Sequence, residues 1–237
     1  MNIVDQDKGS ILEIIEGTAD LVRKLAGPMA EEVGLMFGDR VGVYRVKNWV
    51  KTMQKTERIL REAGLSPNAV PGRLFLPIIE NCSVEDDDSL QELWAGLLAS
   101  ASQQTGSVSP SFVETLKQLT PADARVLERI YVGLSNPRKG MPLGEGMSIN
   151  PFSFTERGGA PPGVSADTFE RIGLIRRDFD VKLKGRHTWN RVPGSVEDAL
   201  NFVESEMRYQ FVLTGYAVGF IKACHGPRVK SESDSHS

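Results

Sequence analysis

The sequence holds few of the residues from which metal sites, redox centres and hydrolytic triads are built. Its two cysteines, Cys82 and Cys224, lie too far apart for a CxxC pair and are too few for a disulfide framework. Each sits beside an apolar helical pattern and reads as a small buried hydrophobe. The three histidines, His187, His225 and His236, show no HExxH or other ligand spacing, so no metal and no cofactor is expected. No uninterrupted apolar run reaches about 18 residues, which excludes a membrane span. There is no basic-then-apolar start of the kind that reads as a secretion signal, so a cytoplasmic protein is expected. A net charge of −3 argues against a general nucleic-acid coat but leaves room for local basic patches.

What is present is helical periodicity. Leu90, Leu93, Trp94, Leu97, Leu98 and Ala101 recur at the spacing of one apolar helix face, carried for three turns. The acidic run before them, Glu85 to Asp88, suits a helix N-terminus, where carboxylates accept bonds from unpaired N–H groups and meet the positive end of the dipole. A metal or a basic partner is the sharper reading of that run. Consecutive acids on a helix end splay around its axis, whereas an oxygen cage needs ligands converging from a loop.

Upstream, Met1 to Gly9 is polar and reads as frayed. Ser10 and Glu13 form a capping box for a helix whose face is Ile11, Ile14, Ile15, Thr18, Leu21, Val22 and Leu25. Gly27-Pro28 interrupts it, since proline suits only the first turn of a new helix. Ala26, Ala30, Gly34, Gly38 and Gly42 are small residues spaced strictly four apart, a groove where another backbone can approach. Glu31, Glu32, Asp39 and Arg40 interrupt the apolar text. Packing inside a bundle or across a homodimer is therefore preferred to the membrane pairing that the same stripe can drive. From Val43 to Ala63 a helix buries Val46, Trp49, Val50, Met53, Leu60 and Ala63, while Lys47, Lys51, Lys55 and Arg58 stack opposite them as a basic ridge. A solvated face is the plain reading. Anionic headgroups, a phosphate backbone, or the acids at 85–88 of this or a second chain are the functional ones. Gly64 stops the helix, and RLFLPIIENC is a short apolar helix, kinked or started by Pro77.

Residues 10–104 thus make a helical bundle, and the polar text from Gln103 to Val108 marks a boundary. Beyond it, Ser109-Pro110 and Thr120-Pro121-Ala122-Asp123 start two more helices. Residues 133–163 form a Gly/Pro-rich loop; GMPLGEGM lacks the preceding strand and the GK[ST] ending of a phosphate loop. A helix containing Phe169 and Ile172 is ended by Gly173. LIRRDFDVKL and YQFVLT read as strands, VEDALNFVESEM as an inserted helix, YAVGFIKAC as a closing helix, and 227–237 as a disordered tail. Arg171, Arg176, Arg177, Lys182, Lys184, Arg186 and Arg191 outnumber Asp178 and Asp180, giving a basic patch with His187 and Trp189 interleaved. The helix that would enter a major groove offers Asp167, Glu170 and only Arg171, so nucleic-acid binding is open but not favoured.

SLQELWAGLLASA, a polar linker and then SPSFVETLKQLTPADARVLERIY resemble the abortive infection alpha (Abi-alpha) family of bacterial proteins. LAGPMAEEVGLMFGDRVGVYRVKN, PGRLFLPIIENCSVEDDDSL, FERIGLI and FVLTGYAVGFIKAC are similar to it as well, so the resemblance spans roughly Leu21 to Cys224. It implies a link to phage defence by sacrifice of the infected cell and carries over no catalytic residue. TFERIGLI followed by strands looks like the third helix and wing of the winged-helix superfamily.

The expectation is a mainly α protein, an N-terminal helical bundle (10–104) followed by a C-terminal winged-helix-like α+β domain (109–226). No nucleophile stands beside a base and an orienting group, so catalysis and a small-molecule substrate are not expected. A non-catalytic antiviral-defence protein acting through protein contacts is the reading. A homodimer and peripheral membrane contact are among its partner options, and a winged-helix DNA-binding regulator is the alternative.

Overall fold

Glycine and proline set where the helices of this chain stop and start. The computed structural model describes residues 18–27, 40–103, 108–134, 143–149, 164–181 and 207–227. Residues 18–26 are helical (α1) and end at Gly27, whose φ of 54° is the left-handed region that favours glycine. There follow α2 (Arg40–Glu62), α3 (Gly72–Val84), α4 (Asp88–Ala101), α5 (Pro110–Leu116) and α6 (Pro121–Leu134). Then come β1 (Ser148–Ile149), α7 (Val164–Arg171), β2 (Ile175–Val181), β3 (Met207–Leu213) and α8 (Gly215–Cys224). The protein is mainly α, with a small three-stranded antiparallel sheet in its C-terminal part. The expected helix VEDALNFVESEM, the text RGGAPPG, residues 1–9 and the tail beyond 227 lie outside the described residues.

The helix starts are built as their sequences predict. The Asp87 carboxylate accepts from Ser89 N at 2.9 Å and Leu90 N at 3.1 Å, so the acidic run caps α4. Ser109 caps α5, accepting from Ser111 N. Thr120 and Asp123 cap α6 reciprocally: Asp123 N donates to the Thr120 hydroxyl at 3.2 Å and Thr120 N to the Asp123 carboxylate at 2.9 Å.

One element settles an open alternative and one differs from expectation. Helix α3 begins at Gly72 and carries Pro77 inside it. Leu74 and Phe75 before the proline, and Ile78 and Ile79 after it, are all buried. Burying four such side chains at about 1.5–3 kcal/mol each outweighs the roughly 3 kcal/mol cost of an interior proline. In addition, β1 lies inside the stretch read as a loop. Its two residues pair with the free side of β3, Ser148 opposite Val212 and Ile149 opposite Phe211, and Ile149 is buried.

The described residues fall into two compact units, those within Met1–Glu128 and Gly219–Ser237, and those within Arg129–Val218. The polar text at 103–108 separates α4 from α5 in sequence, and both helices belong to the first unit.

In that unit α2 packs on α3 and α4, and α3 on α4 and α5. From Leu93 to Ala101 helix α4 is buried all round: besides its apolar stripe, Ala95, Gly96, Ala99 and Ser100 are also buried. Gly96 and Ser100, one turn apart, receive the end of α8. A Cβ at Gly96 would stand 1.8 Å from the Cys224 carbonyl oxygen, and Ser100 Oγ donates to the Ala223 carbonyl at 2.8 Å. Phe220 meets Phe112 of α5 edge-on, with centroids 5.7 Å apart. His225 bonds Ile221 O and the Glu128 carboxylate, each at 2.8 Å. The loop after α2 is sewn down by Val70 N to Leu25 O and Asn68 N to Ser102 O.

In the second unit the sheet order is β1-β3-β2, with β2 and β3 in register from Ile175 opposite Leu213 to Val181 opposite Met207. Helix α7 packs on β2, burying Phe169. Thr214 caps α8: its hydroxyl accepts from Ala217 N at 3.0 Å and donates to Gly173 O at 2.6 Å.

Gly96→Ala should therefore lower stability by about 3 kcal/mol or more, because the atom it meets is backbone and cannot step aside. Gly133→Ala, where the added methyl meets nothing within 4 Å, should be neutral or stabilising by roughly 0.5 kcal/mol. Urea unfolding of the two variants measures the contrast.

Candidate interaction surface

Helix α2 has two polar faces that do different work. Facing α3 and α4, Asn48, Thr52 and Thr56 are spaced four apart and buried. Asn48 Nδ2 donates to Ser83 O at 3.4 Å, and Thr52 and Thr56 donate back to the carbonyls of Asn48 and Thr52 at 3.2 and 2.9 Å. Arg45 Nε donates to Ser83 Oγ at 2.9 Å, which donates in turn to Glu80 O at 2.8 Å. Each of these groups has a partner: the threonines bond within α2, and Asn48 and Arg45 tie α2 to the end of α3.

The adjoining face carries the basic ridge. Lys55 Nζ lies 2.5 Å from Asp88 Oδ1 and 3.0 Å from Asp88 O, and 3.9 Å from Glu92 Oε2. Arg58 pairs with Glu92. The C-terminal half of the ridge is thus neutralised by the start of α4 within the same chain. Lys47 and Lys51 are exposed, and no hydrogen bond or ion pair to them occurs among the described residues. Near their end of α2, Tyr44 is 49% exposed and Val84 55%. Each follows or precedes a member of the Arg45–Ser83 hydrogen bond, which places both at this corner of the unit.

The electrostatics of the acidic residues follow from this layout. The hydrogen bond and charge of Lys55 hold the Asp88 carboxyl below its ordinary value, with Lys51 and Arg58 adding to the effect. Burial pushes the Glu85 carboxyl up, helped by the charges of Asp87 and Asp86 and opposed by its bond from Asp87 N. Burial also raises the Cys82 thiol to about 12, and the Cys224 thiol is raised for the same reason, so neither is a ready nucleophile.

The other sequence-predicted groups are only partly described. Of the small-residue stripe, Ala26 is buried at the end of α1 and Gly42 lies in α2; Ala30, Gly34 and Gly38 fall outside the described residues. Of the C-terminal basic patch, Arg171, Arg176 and Arg177 are exposed. Arg177 is engaged by Glu170 at 3.0 Å and Asp167 at 3.5 Å and lies 5.9 Å from the centroid of Phe211. Lys182, Lys184, Arg186 and Arg191 fall outside the described residues. Among the described residues no group of three His, Cys, Asp or Glu side chains converges as a metal would require. None of the described helices is long and apolar enough to cross a membrane.

The family model described as abortive infection alpha matches residues 44–224. That stretch contains the ridge, the acidic start of α4, the sheet and α8. The chain belongs to the abortive infection alpha family. No curated protein and no solved structure matches the chain. The Abi-alpha match begins at Tyr44, so α1 and the first residues of α2 precede it.

Sequence reasoning missed Glu92 as the partner of Arg58, and Tyr44 and Val84 as exposed apolar residues. No local signal could have supplied them, because the pairing residues are 34 apart in the chain.

Asp88 and Glu85 should respond oppositely to pH. The lowered carboxyl of Asp88 adds stability that is present above the ordinary carboxylate range of about 4 and is lost as pH falls through its own value. Because Asp88 is 92% exposed, Asp88→Asn should cost only about 0.5 kcal/mol at neutral pH, and less in high salt. The raised carboxyl of Glu85 costs stability at neutral pH, a cost relieved on acidification, so Glu85→Gln should be neutral or stabilising there. Thermal unfolding across pH 3 to 7 reads both, about four units spanning the carboxylate range.

Proposed function

We propose that this protein is a non-catalytic cytoplasmic component of abortive infection, acting through protein contacts on the outer face of α2. The observation that carries the reading is the family match over 44–224, which ties the chain to abortive infection. Lys47, Lys51, Tyr44 and Val84 support a contact role: two exposed cations with no hydrogen bond or ion pair among the described residues, beside two exposed apolar side chains. Tyrosine in such a setting is favoured at protein interfaces, since its ring is apolar and its hydroxyl stays wet. A bilayer is the weaker partner for this face, because Asp86 and Asp88 on the adjoining helix start would be driven against anionic headgroups.

A second reading, duplex binding, is favoured by one feature: helix α7 followed by the antiparallel pair β2 and β3, with Arg176 exposed on β2. Against it, Arg177 is already held by Glu170 and Asp167. Affinity for duplex that falls steeply with salt, and drops further in Arg176→Gln, would favour this reading.

Phage challenge of bacteria with and without the chain tests the main proposal. Infected cells that carry it should die or arrest with phage yield down at least tenfold, and Lys47→Glu with Lys51→Glu should restore much of the yield. Equal yields with and without the chain would overturn the role.

A further inference from the structure

We propose that the face formed by α2 and the start of α4 pairs with the same face of a second copy of this chain. The inference rests on the reading of that face as a protein contact and names its partner. Tyr44, Lys47 and Lys51 recur at i, i+3 and i+7, so they lie along one exposed side of α2. An acidic row runs beside them, Asp86 and Asp88 with Glu92 a turn further on, and the direct bond from Lys55 to Asp88 shows that the two rows touch. Inside the chain this contact consumes Lys55 and Arg58. Lys47 and Lys51 at one end and exposed Asp86 on the other row have no ion pair among the described residues.

A surface with a basic row against an acidic row selects its partner by charge pattern. A phosphate backbone or an anionic bilayer laid on the lysines also meets the carboxylates, and the attraction to one row is offset by repulsion from the other. A copy of the same surface, turned about a two-fold axis, sets lysines on carboxylates and carboxylates on lysines at once, as an isologous contact requires. Tyr44 and Val84, at the corner fixed by Arg45 and Ser83, supply apolar area that a purely ionic contact would lack.

Sedimentation of the full chain over a dilution series tests this. The wild type should dimerise, with dimerisation weakened by salt. Lys47→Glu/Lys51→Glu should weaken it roughly tenfold per reversed charge, and Asp86→Lys/Asp88→Lys should do the same. The decisive arm is mixing: each double variant alone should be monomeric, because its reversed charges meet like charges on its copy, while the two together form a heterodimer in which the reversed acids of one meet the reversed bases of the other. A monomeric wild type, a dimer indifferent to both variants, or a mixture that fails to associate would each overturn the proposal. So would wild-type chain that stays monomeric yet binds anionic vesicles or duplex through the two lysines. A monomer that still lowers phage yield would sink the pairing and leave the defence role standing.

Discussion

Burying one helix on every side forces each of its faces to be matched to a different neighbour, and the first unit of this protein depends on that constraint at α4. Its large residues, Leu93, Trp94, Leu97 and Leu98, form the apolar stripe, while Gly96 and Ser100 make a floor low enough for the end of α8 to rest on it. A side chain at 96 would occupy the space of the Cys224 carbonyl. The Ser100 hydroxyl gives the neighbouring Ala223 carbonyl, which also accepts from Gly226 N at 3.3 Å, a closer second donor. Apolar area alone would let α8 slide; a backbone contact with a hydrogen bond beside it fixes one position.

Helix α2 shows how one element can serve structure and surface together. Its inner row of Asn48, Thr52 and Thr56 is polar yet satisfied, the threonines within α2 itself and Asn48 by Ser83 of α3. Its outer row divides in two. Lys55 and Arg58 are spent on the start of α4, where they are partly exposed and contribute modestly. Lys47 and Lys51 are left over, and they give the Abi-alpha chain a surface whose charge pattern is asymmetric along its length.

Much of this fold was legible in advance because the signals were local. The period of Leu90 to Ala101, the caps at Asp87, Ser109 and Thr120, and the stops at Gly64 and Gly173 each involve groups within a turn of one another, and all recur in the structure. Alternation in LIRRDFDVKL and YQFVLT likewise located β2 and β3. Pro77 left two readings open, a helix through it or one begun by it, until the burial of Phe75 and Ile78 on both sides of it is known. Two-residue β1 has too little text to show a period at all.

The sequence by itself determined where helices form, how they are capped and which side of each is apolar, because those preferences are settled by atoms one to four residues apart. It also determined family membership, which rests on the pattern of such preferences along the chain. Only the tertiary structure decided which charges of the ridge remain available, since Lys55 finds Asp88 33 residues away and Arg58 finds Glu92 34 residues away. The reason is physical: local spacing fixes which way a side chain points, but whether a partner waits there depends on how α3 brings α4 back alongside α2.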